Sequence, residues 1–164
     1  MHISSTPFRV LFVCLGNICR SPAAEAIFRA FADKEGLHVI VDSAGTSGWH
    51  EGEKADPRMR AHARRLGYEI TSISRPFKRS SDFDQFDLIV PMDDSNYYDL
   101  KEQASTIAEA DKIVHISDYI SGSGYSYIPD PYYGGEEGFM LVINLLEKAS
   151  VNLVADLSKR MVKD

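Results

Sequence analysis

The chain alternates short apolar runs with stretches whose apolar residues recur at helical spacing. Phe8 to Val13 (FRVLFV) is rich in β-formers and carries one charge, the pattern of a strand buried on both faces. Ser21-Pro22 then opens a segment with apolar positions at Ala23, Ala26, Ile27, Ala30 and Phe31, which predicts a helix. Val39 to Val41 predicts a second strand, followed by the glycine-rich stretch SAGTSGW and a helix that begins near Pro57 and stops at Gly67. Leu88 to Val90 predicts a third strand, and the acidic stretch Asp82 to Asp87 before it reads as a solvated approach. The exit PMDDSN supplies cap residues for a helix through Leu100, and Lys112 to His115 predicts a fourth strand. A long loop, Ser121 to Gly135, leads to a closing amphipathic helix marked by Phe139, Val142, Ile143, Leu146, Ala149, Leu153 and Leu157. Strands alternating with helices imply a parallel sheet covered on both faces, here in one α/β domain spanning residues 8–164 behind a flexible tail, residues 1–7. In such sheets ligands bind beyond the carboxyl ends of the strands.

Composition agrees with one globular domain: 164 residues, 44% hydrophobic and 26% charged. The net charge of -6 has the wrong sign for tracking a nucleic-acid backbone, so no nucleic-acid partner is expected. MHISSTPFRV lacks the pattern of a leader peptide and no run of about eighteen apolar residues occurs, so no membrane partner is expected. Two cysteines, Cys14 and Cys19, do not make a disulfide framework, which points to a reducing cytoplasm and leaves a leaderless export route open. The five histidines are scattered without ligand spacing, so neither metal nor cofactor is expected.

The loop Cys14-Leu15-Gly16-Asn17-Ile18-Cys19-Arg20-Ser21 joins a buried strand to a helix N-terminus, where backbone N–H groups and the helix dipole favour an anion the size of phosphate. Gly16 and Asn17 tolerate positive φ, so the loop can curl into a nest whose amides converge. Cys14 would lie at its floor, where that field favours the reactive thiolate. Arg20 offers a planar fork for two phosphate oxygens, and Ser21 can cap the helix and donate a hydroxyl to the sulfur. A cysteine six residues before an arginine is by itself weak; the Gly-Asn pair, the Ser-Pro and the strand-loop-helix context make it specific.

Asp130 stands between two prolines and before the aromatic pair Tyr132-Tyr133, which can shield its carboxyl for use as a general acid and base; plain Asp-Pro turn chemistry is the competing reading. Trp49, Tyr132 and Tyr133 are loop aromatics that either line a slot for a phenyl ring or pack their own loops down, and Leu15 and Ile18 can form its apolar floor. Cys19 is either a resolving thiol for an oxidised Cys14 or a small buried side chain.

The segment VCLGNICRSPAAEAIF resembles the signature loop of the low molecular weight protein tyrosine phosphatases, and SAGTSGWHEG, DPRMRAHARRLGYEI, FDLIVPMDDSN and DPYYGG follow in that family's order. The resemblance implies a three-layer fold with a four-stranded parallel sheet in the order 2-1-3-4, counting from the Phe8 strand. It implies Cys14 as nucleophile, Arg20 as phosphate ligand, Asp130 as general acid, Asn17 and Ser43 as supports of the loop, and a Cys14-Cys19 redox pair. The implied partner is a tyrosine-phosphorylated protein or peptide, met by a monomer. Many members carry a histidine after the second helix that helps the supporting network; the corresponding stretch here, TSISRPF, offers Ser72.

Three other functions fit parts of the pattern. Arsenate reductases resemble this loop but need cysteines beyond Cys19 to pass a disulfide outward. Protein-arginine phosphatases carry a threonine where this loop has Ile18, whose apolar side chain suits a phenyl ring better. A silent phosphoprotein-binding module would need neither a thiol nor an acid, so Cys14, Arg20 and Asp130 together argue for turnover.

Overall fold

The computed structural model describes residues 2–3, 6–131 and 135–163. Its central sheet has three parallel strands, β2 (Phe8–Cys14), β3 (Val39–Gly45) and β4 (Leu88–Pro91), in the order β3-β2-β4. Registers run from Phe8 opposite Val39 to Cys14 opposite Gly45 on one side, and from Val10 opposite Leu88 to Val13 opposite Pro91 on the other. Near the termini, β1 (His2–Ile3) pairs antiparallel with β5 (Val162–Lys163).

Alternation along the central strand divides the core. Val10, Phe12 and Cys14 point into the larger cluster with α1 (Arg20–Lys34) and α6 (Glu136–Met161), while Leu11 and Val13 meet Phe77, Phe83, Ile89 and Leu100 on the opposite face. That second face is closed by α3 (Asp82–Gln85) and α4 (Asp94–Gln103). Between the strands the chain also forms α2 (Pro57–Arg65) and α5 (Ile107–Asp111). The closing helix α6 is long and apolar enough to cross a membrane by length and composition, but half of its most apolar stretch is buried. All seven apolar positions that predicted it lie in the core.

The expected fourth strand is reduced to one parallel bridge. Ile89 donates its N–H to Lys112 O at 2.9 Å and accepts from Val114 N–H at 3.1 Å, pairing with Ile113. The reason is length: α5 ends at Asp111 and a 3-10 turn begins at Ile116, which leaves residues 112–115 for the edge.

The stretch Asp82–Asp87 also departs from expectation. Asp82 is buried and receives Arg75 Nη1 at 3.0 Å and Lys78 N–H at 2.7 Å. Phe83 and Phe86 are core residues, so the stretch is a packed turn of helix that buries and pairs Asp82 while Asp84 and Asp87 stay exposed.

Candidate active site

The loop from Cys14 leaves the carboxyl end of β2 and enters α1. Cys14 is 2% exposed and Arg20 is 3% exposed. Asn17 N–H donates to Cys14 Sγ at 3.3 Å, and Ser21 Oγ lies 3.0 Å from the same sulfur. Asn17 holds the curl with φ 55°, a left-handed backbone that asparagine tolerates. Gly16 does not share this conformation, contrary to expectation; its value is room, because a Cβ there would lie 3.0 Å from His50 Cδ2.

The Asn17 side chain locks the loop in a determined sense. Its Oδ1 accepts from Arg75 N–H at 3.0 Å, a group that can only donate, so Nδ2 faces Ser21 Oγ at 2.8 Å and donates to it. Ser21 then has one proton to give, with Cys14 Sγ at 3.0 Å and Ala44 O at 3.4 Å as its choices. Ser21 is therefore not the helix cap: α1 begins at Arg20 after Cys19, with no side-chain cap. Ser43 is buried, but its hydroxyl donates to Glu25 Oε1 at 2.7 Å, which ties β3 to α1 and not to the loop. Ser74, two residues past Ser72, supports the loop here: its Oγ donates to Gly16 O at 3.0 Å.

Around the sulfur opens a pocket of about 100 Å³ lined by Cys14, Leu15, Gly16, Ile18, Cys19, Arg20, Trp49, His50 and Asp130. Leu15 and Ile18 give it apolar lining, and Trp49, 79% exposed, lines it from the solvent side. Tyr132 and Tyr133 lie outside the described residues. Arg20 Nη1 donates to Asp93 Oδ2 at 2.6 Å and to Ile128 O at 3.1 Å, while Nη2 lies 3.7 Å from Asp130 Oδ2. Burial works against the charge on Arg20, but Cys14, the bond and charge of Asp93, and Asp130 outweigh it and hold its proton more firmly than usual. Burial pushes the Cys19 thiol up, with Asp56, Cys14 and Asp130 acting the same way against Arg58.

A buried thiol beside a hydroxyl, a left-handed asparagine and a charged guanidinium, with a carboxyl at the rim, is equipment for phosphoryl transfer. The family described as low molecular weight phosphotyrosine protein phosphatase matches residues 9–163. The chain belongs to that family. A low molecular weight protein-tyrosine-phosphatase of Streptomyces coelicolor is 44% identical over 153 residues, covering 90% of this chain and 92% of its own. Among solved structures, a protein tyrosine phosphatase from Entamoeba histolytica with Hepes in its active site superposes with TM-score 0.90 at 46% identity, over 94% of this chain and 99% of its own. The YwlE arginine phosphatase, in a cysteine-to-serine mutant with a phosphorylated active-site serine, superposes with TM-score 0.85 at 27% identity, over 94% of this chain and 100% of its own.

This protein-tyrosine phosphatase contains site residues that its sequence did not single out. Asp93 does two tasks at once: Oδ1 caps α4 by accepting Asn96 N–H at 2.8 Å, and Oδ2 pairs with Arg20. The sequence shows only the capping pattern. His50 enters the pocket wall with its Nδ1 2.8 Å from Glu53 Oε2, a pair spaced like a turn. Arg75, whose backbone fixes Asn17, has its guanidinium between Asp42 and Asp82 at 3.0 Å from each. Asp82 lies seven residues on and Asp42 lies 33 residues back, neither at a helix or strand spacing that would announce the pair.

Proposed function

We propose that this phosphatase hydrolyses the phosphotyrosine of a protein or peptide substrate through a phosphocysteine on Cys14. The observation that carries the reading is the convergence on one sulfur of Asn17 N–H at 3.3 Å and Ser21 Oγ at 3.0 Å, with Arg20 and Asp130 in the same pocket wall. The phosphoryl dianion is bound by Arg20 and the loop amides of residues 15–20, and Leu15, Ile18 and Trp49 flank the phenyl ring. Cys14 thiolate attacks phosphorus, the P–O bond to the ring breaks, and the Asp130 carboxyl gives its proton to the departing phenolate oxygen. The Asp130 carboxylate then takes a proton from a water that attacks phosphorus, the S–P bond breaks, and phosphate leaves with Cys14 again a thiolate. Phosphoryl oxygens compete with Asp130 for Arg20 Nη2, so binding frees the carboxyl to face the leaving oxygen. Ser21 offers its proton to the thiolate each time it is regenerated.

The test is an acid quench of the enzyme during turnover of a phosphotyrosine peptide, read by peptide mass spectrometry, together with Cys14→Ser. Phosphate on Cys14, and loss of turnover with retained vanadate binding in Cys14→Ser, are expected. Turnover by Cys14→Ser, or phosphate trapped on another residue, would overturn the assignment. A phosphoarginine peptide in parallel shows whether the apolar Ile18 selects the aromatic substrate; a higher kcat/KM for phosphoarginine would refute that selection.

A further inference from the structure

The two halves of the site come from distant parts of the chain: the nucleophile loop precedes α1, and Asp130 belongs to the segment before α6. Helix α2 bonds to the first half directly and reaches the second through the start of α6. Asp56, its N-cap, donates its backbone N–H to Ile18 O at 2.7 Å and holds Arg58 Nε and Nη2 on its carboxylate at 3.2 and 3.0 Å. Despite burial, those Arg58 bonds hold the Asp56 carboxyl below the usual range, so the pair is fully charged at neutral pH.

On its other side α2 grips the first turns of α6. The Arg58 guanidinium carbon lies 4.8 Å from the centroid of Phe139, and the His62 ring stacks on the same phenyl with centroids 5.4 Å apart and planes 18° from parallel. His62 is 6% exposed. Its Nδ1 lies 2.7 Å from Arg58 O, and since a carbonyl only accepts, Nδ1 carries the proton. Its Nε2 makes no hydrogen bond and faces Glu136 Oε1 at 3.6 Å, so the ring is placed by its face and by Nδ1. The α6 end in turn rests against the acid segment: a Cβ at position 138 would lie 3.5 Å from Pro131 Cβ, directly after Asp130.

We infer that His62 is a positioning residue for Asp130, gripping Phe139 with Arg58 so that the start of α6, through Pro131, sets the distance between the acid and the Cys14 loop. This rests on the reading of Asp130 as the general acid. Proton transfer needs hydrogen-bond reach, and a displacement of about 1 Å can cost a hundredfold in rate. The loss falls on substrates whose leaving group needs the proton, whereas general softening of the fold lowers all rates alike.

The experiment measures kcat/KM, which reports the steps through P–O cleavage, for phenyl phosphate and p-nitrophenyl phosphate in the parent, Asp130→Asn, His62→Ala and His62→Phe. Asp130→Asn is expected to lose at least about a hundredfold on phenyl phosphate and much less on p-nitrophenyl phosphate. His62→Ala should lose about tenfold more on the first substrate than on the second, and His62→Phe, which keeps a ring face against Phe139, should restore the parent ratio. His62→Leu fills the space without a planar ring and takes the place of His62→Ala if that variant does not fold. An unchanged ratio in His62→Ala or His62→Leu beside a shifted ratio in Asp130→Asn overturns the positioning role alone. Failure of His62→Phe to restore the ratio also overturns it. An unchanged ratio in Asp130→Asn overturns the acid assignment and the positioning role with it.

Discussion

Asp93→Asn isolates the ionic half of a residue with two duties. Asparagine caps helices as well as aspartate does, so the bond from Asn96 N–H at 2.8 Å is kept and the charge facing Arg20 is lost. Removing one partner of a fully buried pair costs about 3–5 kcal/mol, because the other charge is left uncompensated. Arg20 is nearly that buried, but Asp93 is 25% exposed, and Arg20 keeps Ile128 O at 3.1 Å and Asp130 at 3.7 Å. The loss should therefore fall near the value of one charged hydrogen bond, about 2–3 kcal/mol. Asp93→Ala should lose about 1 kcal/mol more, the worth of the cap. Urea unfolding in chloride buffer measures both, and repeating it with inorganic phosphate separates charge from packing. A dianion at Arg20 replaces the missing carboxylate, so the gap between parent and Asp93→Asn should narrow in phosphate. A loss under about 1 kcal/mol in chloride, or a gap that phosphate leaves unchanged, would refute the claim that the Asp93 carboxylate is a working counter-charge of Arg20.

Gly45→Ala should fold but lose about a hundredfold in kcat/KM, because its Cβ would meet Leu15 O at 2.7 Å and Asn17 N at 3.2 Å and push the nucleophile loop off its geometry; near-normal activity would mean that the loop yields freely. Cys19→Ser should keep turnover but recover less fully than the parent when dithiothreitol follows brief peroxide, since a sulfenic acid on Cys14 would lack its neighbouring thiol; equal recovery would leave Cys19 a packing residue. Tyr119 is pushed up to about 12 by burial and by its bond to Asp156 at 2.9 Å. Its folded value lies above the unfolded value of about 10, so it stabilises the fold fully below pH 10 and loses that contribution as pH rises through 12. Tyr119→Phe should thus be less stable at pH 8, and its urea midpoint should fall less steeply than the parent's between pH 10 and 12; parallel curves would refute this.

What the linear chain determines here is whatever depends on neighbours along it. FRVLFV makes a strand because its apolar residues fill both faces, Asp56-Pro57 starts a helix because the side chain reaches Arg58 N–H, and the Cys14-to-Ser21 spacing makes a loop that curls at Asn17. Those are short-range matters of period, cap and φ, and with the family resemblance they identify the chemistry. What only the tertiary structure decides is who faces whom. Asp93 looks like a cap until Arg20 arrives from 73 residues away, and Ser43, a loop support by family resemblance, gives its hydroxyl to Glu25 instead. Asp82 looks like solvated charge until Arg75 pairs with it, and the edge strand at Ile113 shrinks because the turns on either side leave it no length. A charge or hydroxyl carries no mark of its partner in its own neighbourhood, because the free energy that selects the partner comes from burying both together, and burial is settled only when the sheet and its helices have closed.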